Sequence, residues 1–125
     1  PVGEEPNLLI NAADLSLEEA AALTAEFGGA AVPAHVDREA NGILAVLGDL
    51  PEHPAFPTVE YREPASAKEF EAKYPRLIGK RRIVSSDAHR LCDISEGGYP
   101  LPLPCKTGAD AETVRRALIR YLAGG

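Results

Sequence analysis

Short apolar runs alternate along the chain with stretches of helical periodicity, and this alternation predicts the fold. Runs of aliphatic or β-branched residues predict strands at residues 7–10, 30–34, 58–61 and 82–86. Amphipathic spacing predicts helices at residues 17–27, 67–74 and 111–122. Strands that alternate with helices in this way favour parallel pairing through right-handed crossovers. The sequence therefore predicts an α/β fold in which the carboxyl ends of the strands share one edge.

Capping signals mark where the predicted helices begin. Ser16 and Ser66 are each followed three residues later by a glutamate, which is the spacing of a capping box. Asp110 stands in the same position before the last helix. A shorter helix is expected over residues 41–47, ending at Gly48.

Composition narrows the class of protein. The 125 residues are 45% hydrophobic and 26% charged, as in one folded domain or part of one. A net charge of −6 with mixed signs along the chain gives no support for a nucleic-acid surface. No apolar run approaches the roughly 20 residues that span a bilayer, so no membrane is expected as a partner. Two cysteines, Cys92 and Cys105, lack CxxC spacing and predict a reducing, cytoplasmic compartment.

Histidine and carboxylate side chains stand where the predicted strands end. His35 follows the run at residues 30–34, and Asp87 and His89 follow the run at residues 82–86. Residues two apart in an extended chain point to the same side, so Asp87 and His89 are expected to face one point. Imidazole and carboxylate together bind divalent ions such as zinc, manganese or iron. His35, Asp87 and His89 are therefore the predicted metal ligands.

Each of these residues also has an interpretation without metal. Asp87 alone would cap the turn after its strand, and a single histidine is more often hydrogen-bonded than a ligand; two such strand ends together favour the metal site. Arg38, close to His35, would bind a phosphate oxygen or form a surface salt bridge with a neighbouring acidic residue. Glu60 would support a ligand, act as a general base or lie in solvent.

Two motifs taken together resemble the PHP (polymerase and histidinol phosphatase) family. They are V-P-A-H-V-D-R at residues 32–38 and, about fifty residues later, S-S-D-A-H at residues 85–89. Asp93 and Ile94, and the closing helix, are also similar to the family, so the resemblance extends over residues 7–122. It implies part of a distorted (β/α)7 barrel and hydrolysis of phosphoester bonds with up to three divalent metal ions.

Residue by residue, the resemblance implies that His35, Asp87 and His89 bind metal, that Asp87 is catalytic and that Arg38 contacts the substrate. The resemblance also implies that the substrate is a phosphorylated small molecule or a nucleotide, with short oligonucleotides left open. The family's early motifs, an H-x-H, a T-D-H and a glutamate after a middle strand, have no counterpart in the sequence. We therefore expect residues 1–125 to be the C-terminal part of one PHP-like domain, inactive by itself and able to self-associate through an open barrel edge. The alternative is a metal-binding or structural accessory module without hydrolytic activity.

Overall fold

The computed structural model describes Gly3, Pro6 and residues 13–95 and 97–125. The helices and strands of this part are α1 (Leu17–Glu26), α2 (Ile43–Leu47), β1 (Thr58–Tyr61), α3 (Ala67–Lys73), β2 (Arg81–Val84) and α4 (Ala111–Leu122). Single 3₁₀ turns lie at Pro64–Ser66, Pro75–Leu77 and Leu91–Asp93. None of the described helices is long and apolar enough to cross a membrane. The strand predicted at residues 7–10 lies outside the described residues.

The two strands form a parallel pair, which confirms the predicted α/β class and strand direction. Thr58 pairs with Arg81 where the ladder begins, and Tyr61 pairs with Val84 where it ends. The crossover between the strands contains α3, because parallel neighbours cannot be joined by a tight turn. Both strands therefore end at the same edge, and the residues that follow them are brought together there.

The strand predicted over residues 30–34 does not form, so this prediction was wrong. The chain runs beside β1 and bonds to it twice: the Glu60 N–H donates to the Pro33 carbonyl at 3.0 Å, and the Val36 N–H donates to the Glu60 carbonyl at 2.8 Å. A regular parallel ladder would use the residue before Val36 as the donor. That residue, His35, has a left-handed φ of +44°. The backbone therefore bulges at His35 and leaves the extended conformation.

The hydrophobic core surrounds β1. Val59 is completely buried and Tyr61 is 1% exposed, whereas no residue of β2 is fully buried. The other core side chains come from the segments on either side of β1: Val36, Leu44, Leu50, Phe56, Ala67 and Leu77. Burial of a large aliphatic or aromatic side chain contributes about 1.5–3 kcal/mol. Since Val36 directly follows the bulge, the core fixes the chain on one side of His35.

Two of the three predicted helix caps form. The Glu19 N–H donates to Ser16 Oγ at 3.1 Å, and the Ser16 N–H donates to Glu19 Oε2 at 2.8 Å, which completes the capping box of α1. Asp110 caps α4 by accepting a backbone N–H at 2.8 Å. The capping box predicted at Ser66 was wrong: its hydroxyl donates to Asp37 Oδ2 at 2.9 Å, and α3 continues from a 3₁₀ turn. The same hydroxyl also lies 2.5 Å from the Glu63 carbonyl oxygen, so it contacts these two acceptors and does not cap α3.

Candidate functional site

Three side chains meet at the carboxyl edge of the parallel pair. His35 is presented by the bulge, Glu60 belongs to β1, and Asp87 follows β2. His35 Nδ1 lies 2.8 Å from Glu60 Oε1, and His35 Nε2 lies 3.1 Å from Asp87 Oδ1. The side chains are 16–20% exposed, so the cluster is sheltered but reachable from solvent. The imidazole is thus held between two carboxylates, one at each ring nitrogen.

The contact between His35 and Glu60 is close but poorly directed. Nδ1 is buried, and Glu60 Oε1 lies off the direction that a hydrogen bond from the ring requires, so no described group completes a hydrogen bond to it. A metal-binding histidine usually donates a hydrogen bond from its second nitrogen to a carboxylate or a carbonyl. Glu60 lies beside that nitrogen of His35 but accepts no hydrogen bond from it.

Asp87 is the residue at which the contacts of the site converge. Its Oδ1 faces His35, and its Oδ2 accepts a hydrogen bond from Arg38 Nη1 at 3.1 Å. Its backbone φ is +53°, a left-handed conformation that aspartate adopts more readily than most residues. Strained backbone of this kind clusters at functional sites, where surrounding contacts hold it in place. His35 and Asp87, which contact each other across the two motifs, both have this left-handed backbone conformation.

Arg38 reaches across the fold to Asp87. Its partner lies 49 residues further along the chain. The guanidinium neutralises the carboxylate, yet the arginine side chain is 43% exposed, compared with 20% for Asp87. An arginine in this arrangement keeps N–H donors available to an incoming oxygen ligand.

His89 lies at the margin of the cluster. Its side chain is 78% exposed, and its Nδ1 is 2.7 Å from the Asp87 carbonyl oxygen and 3.8 Å from Asp87 Oδ1. The expectation that residues 87 and 89 face the same side depended on extended backbone, and the left-handed φ of Asp87 breaks that alternation. Among the described residues, no group of three or more His, Cys, Asp or Glu side chains is arranged to hold a metal ion. The structure brings His35 and Asp87 together and leaves His89 in solvent.

Asp37 is a residue of this region that the sequence did not single out. Its Oδ1 accepts the Arg62 N–H at 2.9 Å, and its Oδ2 accepts the Glu63 N–H at 2.7 Å and the Ser66 hydroxyl at 2.9 Å. Burial acts to raise the pKa of Asp37, but these hydrogen bonds outweigh it and hold the pKa below its usual value of 3.8. The partners lie 25–29 residues away, so no local pattern identifies them. The only signal in the sequence is an aspartate three residues after the end of the strand predicted at residues 30–34.

A cleft of about 320 Å³ opens beside Arg38. Its aromatic wall consists of Phe70 and Tyr74, whose rings stack with their centroids 6.1 Å apart, and Lys73 Nζ lies 5.1 Å from the centre of the Tyr74 ring. The charged residues of the lining carry both signs: Arg38, Lys73, Glu39 and Glu69. The cleft is large enough to receive part of a small organic molecule next to the histidine–carboxylate cluster.

The fold and the site define an α/β protein with a histidine–carboxylate cluster at the carboxyl edge of its parallel strands. An imidazole nitrogen and a carboxylate oxygen in contact are the ligand types that zinc, manganese and iron accept together, so the donor set of His35 and Asp87 fits such an ion. Comparison of the chain with family models, curated proteins and solved structures found no match.

Proposed function

We propose that the chain is the C-terminal part of a PHP-like, metal-dependent phosphoesterase, and that its two described strands belong to a distorted (β/α)7 barrel. The observation that carries the proposal is the 3.1 Å contact between His35 Nε2 and Asp87 Oδ1. These two residues come from the two motifs that resemble the family. They meet at the carboxyl edge of parallel strands, which is where α/β barrels hold their active sites.

In this proposal, His35, Asp87 and His89 bind a divalent zinc, manganese or iron ion. When bound, the ion acts as a Lewis acid and lowers the pKa of a water molecule to about 7, which makes the water a nucleophile. Glu60 lies 2.8 Å from the other nitrogen of His35 and would accept its hydrogen bond once the ring binds the ion through Nε2. Asp87 is the catalytic carboxylate in this proposal because it contacts both His35, the other ligand, and Arg38, the phosphate-binding residue. To bind the ion, the His89 imidazole leaves its contact with the Asp87 carbonyl oxygen.

The proposed substrate is a phosphorylated small molecule or a nucleotide. Arg38 binds a phosphate oxygen, because its guanidinium lies beside Asp87 and remains partly exposed. The cleft next to Arg38 receives the group that carries the phosphate, and the rings of Phe70 and Tyr74 give it an apolar wall. The outer edge of β2, which pairs with no other described strand, is the surface proposed for self-association.

An accessory module that binds metal without hydrolysis is the second candidate. One observation favours it: of the three proposed ligands, only His35 and Asp87 are in close contact, whereas the His89 side chain is 78% exposed. Such a module would use the same His35–Asp87 pair and would lack the remaining ligands that phosphoester hydrolysis requires. The two candidates agree on metal binding and differ in turnover.

Metal binding tests the assignment of the site. We expect the chain to bind Zn²⁺ or Mn²⁺, and His35→Ala and Asp87→Ala each to weaken binding by at least about 10-fold, since each removes a direct ligand. Titration calorimetry measures the affinity. His53→Ala is the matched control, because His53 is exposed in the loop before β1. Unchanged affinity in both site variants would show that the assignment is wrong.

Hydrolysis separates the two candidate functions. The assay uses a protein in which this chain is joined to a segment carrying the H-x-H and T-D-H motifs, with Mn²⁺ or Zn²⁺ and a panel of phosphoesters. We expect metal-dependent turnover, and Arg38→Gln to raise KM by about 10-fold, because a charged hydrogen bond to phosphate contributes about 1.5–3 kcal/mol. Arg116→Gln, on the exposed side of α4, is the control. Absence of turnover on every substrate would favour the accessory module.

A further inference from the structure

We infer that Asp37 is the positioning residue of the site: it fixes the turn that carries His35 and Arg38 to the strand end that carries Glu60. We call the Asp37 carboxylate and its three donors, the Arg62 N–H, the Glu63 N–H and the Ser66 hydroxyl, the Asp37 clasp. The inference rests on the proposed function where it concerns metal binding. It does not rest on it where it concerns the position of the His35 ring.

The Asp37 clasp joins two segments that are far apart in sequence. One is the turn after the bulge; the other is the turn that leaves β1 and enters α3. All three donors lie within 2.7–2.9 Å of a carboxylate oxygen, the range of well-formed charged hydrogen bonds. A carboxylate is suited to this place because it only accepts, and its two oxygens serve several donors at once. Each donor would be left without this partner if Asp37 were replaced by an apolar residue.

His35 needs such support because its backbone is strained. A left-handed φ costs a non-glycine residue about 1–2 kcal/mol, so surrounding contacts must hold it. The backbone is tied to Glu60 on both sides of His35, through Pro33 before it and Val36 after it. Asp37 directly follows Val36 and adds the nearest side-chain anchor of the turn, at Arg62, Glu63 and Ser66. The distances of the histidine ring to Glu60 and Asp87 therefore depend on both the backbone bonds and the Asp37 clasp.

Arg38 is held by the same turn. Its backbone N–H donates to the His35 carbonyl at 3.0 Å, and its guanidinium contacts Asp87. A shift of the Asp37 main chain would therefore move the metal ligand and the phosphate-binding residue together. This distinguishes Asp37 from a residue that only adds stability.

A purely stabilising carboxylate is present elsewhere in the chain and provides the comparison. Asp110 accepts the Thr113 N–H and the Thr113 hydroxyl, both at 2.8 Å, and caps α4. It has the same chemistry as Asp37 and contacts no residue of the site. Asp110→Ala is therefore the matched control for Asp37→Ala.

The experiment uses Co²⁺ as the probe, because its visible absorption reports the geometry of its ligands. We expect Asp37→Ala to weaken Co²⁺ binding by at least about 10-fold and to change the absorption spectrum, as loss of supporting contacts around a ligand does. Asp37→Asn, which retains one acceptor oxygen, should restore part of the affinity. Asp110→Ala should leave affinity and spectrum unchanged. All variants are measured at a temperature at which circular dichroism shows them folded.

A second readout does not require metal. In the metal-free chain, we expect Asp37→Ala, and to a smaller extent Ser66→Ala, to shift the NMR resonances of the His35 ring, whereas Asp110→Ala leaves them in place. Ser66→Ala also serves if Asp37→Ala does not fold. Unshifted His35 resonances in the Asp37→Ala and Ser66→Ala chains, or in Ser66→Ala alone if Asp37→Ala does not fold, would overturn the inference, as would equal shifts in Asp110→Ala. If the wild-type chain binds no Co²⁺ while the ring resonances move as expected, the proposed function fails and the role of Asp37 stands.

Discussion

His35 and Asp87 have a positive backbone φ, which is rare among the other non-glycine residues that the structure describes. Among the described non-glycine residues, only Asn41 also has a positive φ. His35 is in contact with both Glu60 and Asp87, and these contacts compensate for the strain. The residues that carry the proposed chemistry are therefore also residues whose local conformation is unfavourable.

Substitution of His35 by glycine tests this strain directly. We expect His35→Gly to be more stable than His35→Ala by about 1 kcal/mol in the free energy of unfolding, because only glycine adopts the left-handed region without a steric cost. Ala34→Gly is the control, since Ala34 is exposed and has no positive φ; there glycine should lower stability. Urea denaturation measures all three. Equal stability of the two His35 variants would mean that the backbone relaxes once the imidazole is gone.

The sequence predicted some residues of the candidate site and missed others for a physical reason. It singled out His35 and Asp87, which the structure brings into contact, because each follows an apolar run. The place of His89 depends on the backbone of Asp87, and the role of Asp37 depends on donors 25–29 residues away. The spacing of neighbouring residues predicts neither the place of His89 nor the role of Asp37.

Elements with strong local signals formed where the sequence placed them. β1 matches its apolar run, α1 begins at the capping box of Ser16, and α4 begins after Asp110. The two predictions that failed lie where the chain meets distant residues. The Ser66 hydroxyl contacts the Asp37 carboxylate as well as the neighbouring Glu63 carbonyl oxygen, and the segment at residues 30–34 leads into the bulge whose hydrogen bonds go to Glu60. Both places adjoin the candidate site.

Gly42 gives an element-scale prediction, because it packs α2 against the turn of the site. A Cβ on this residue would lie 3.0 Å from the His35 carbonyl oxygen and 3.6 Å from that of Arg38. We expect Gly42→Ala to lower the free energy of unfolding by about 1–3 kcal/mol, the usual cost of overpacking, and to weaken Co²⁺ binding. Denaturant titration and metal titration measure the two effects.

Gly97→Ala is the control for this packing effect, because a Cβ there would meet nothing within 4 Å. Its stability should be unchanged or slightly raised. If Gly42→Ala behaves like Gly97→Ala, α2 does not press on the turn, and the position of His35 is set without it.

For the whole molecule, acid is the condition that should weaken the fold. Hydrogen bonds hold the pKa values of Asp37 and Asp110 below their usual value, and two arginines lower that of Glu112 from 4.5 to about 2. The unfolded chain therefore binds more protons than the folded chain as the pH falls, so stability present above about pH 4.5 is lost towards pH 2. The exposed Glu112 pairs contribute little to it because solvent screens them.

Thermal unfolding between pH 2 and pH 7 measures this effect. The melting temperature should be nearly constant above about pH 5 and should fall below about pH 4.5. In Asp110→Asn the acid-induced decrease should be smaller, because that side chain no longer binds a proton. A melting temperature that rises on acidification would contradict the assignment of these pKa shifts.

The overall class of fold could be derived from the sequence, since alternating apolar runs and amphipathic stretches predict parallel strands with helical crossovers. β1, α3 and β2 have that arrangement. Closure of a sheet into a barrel is a different kind of property. It depends on the tilt and stagger of every strand around the ring, and no single run of residues encodes it.

The strained backbone at positions 35 and 87 also has a consequence for protein engineering. Natural proteins are readily stabilised by substitutions that relieve local strain, and the recurrent cost is function. Directed evolution of this chain under heat alone should accumulate glycine at position 35, and glycine or asparagine at position 87, and so remove the proposed ligand pair. A library selected only for thermal resistance should therefore replace the native residues at these two positions of the candidate site, as well as at the strained Asn41.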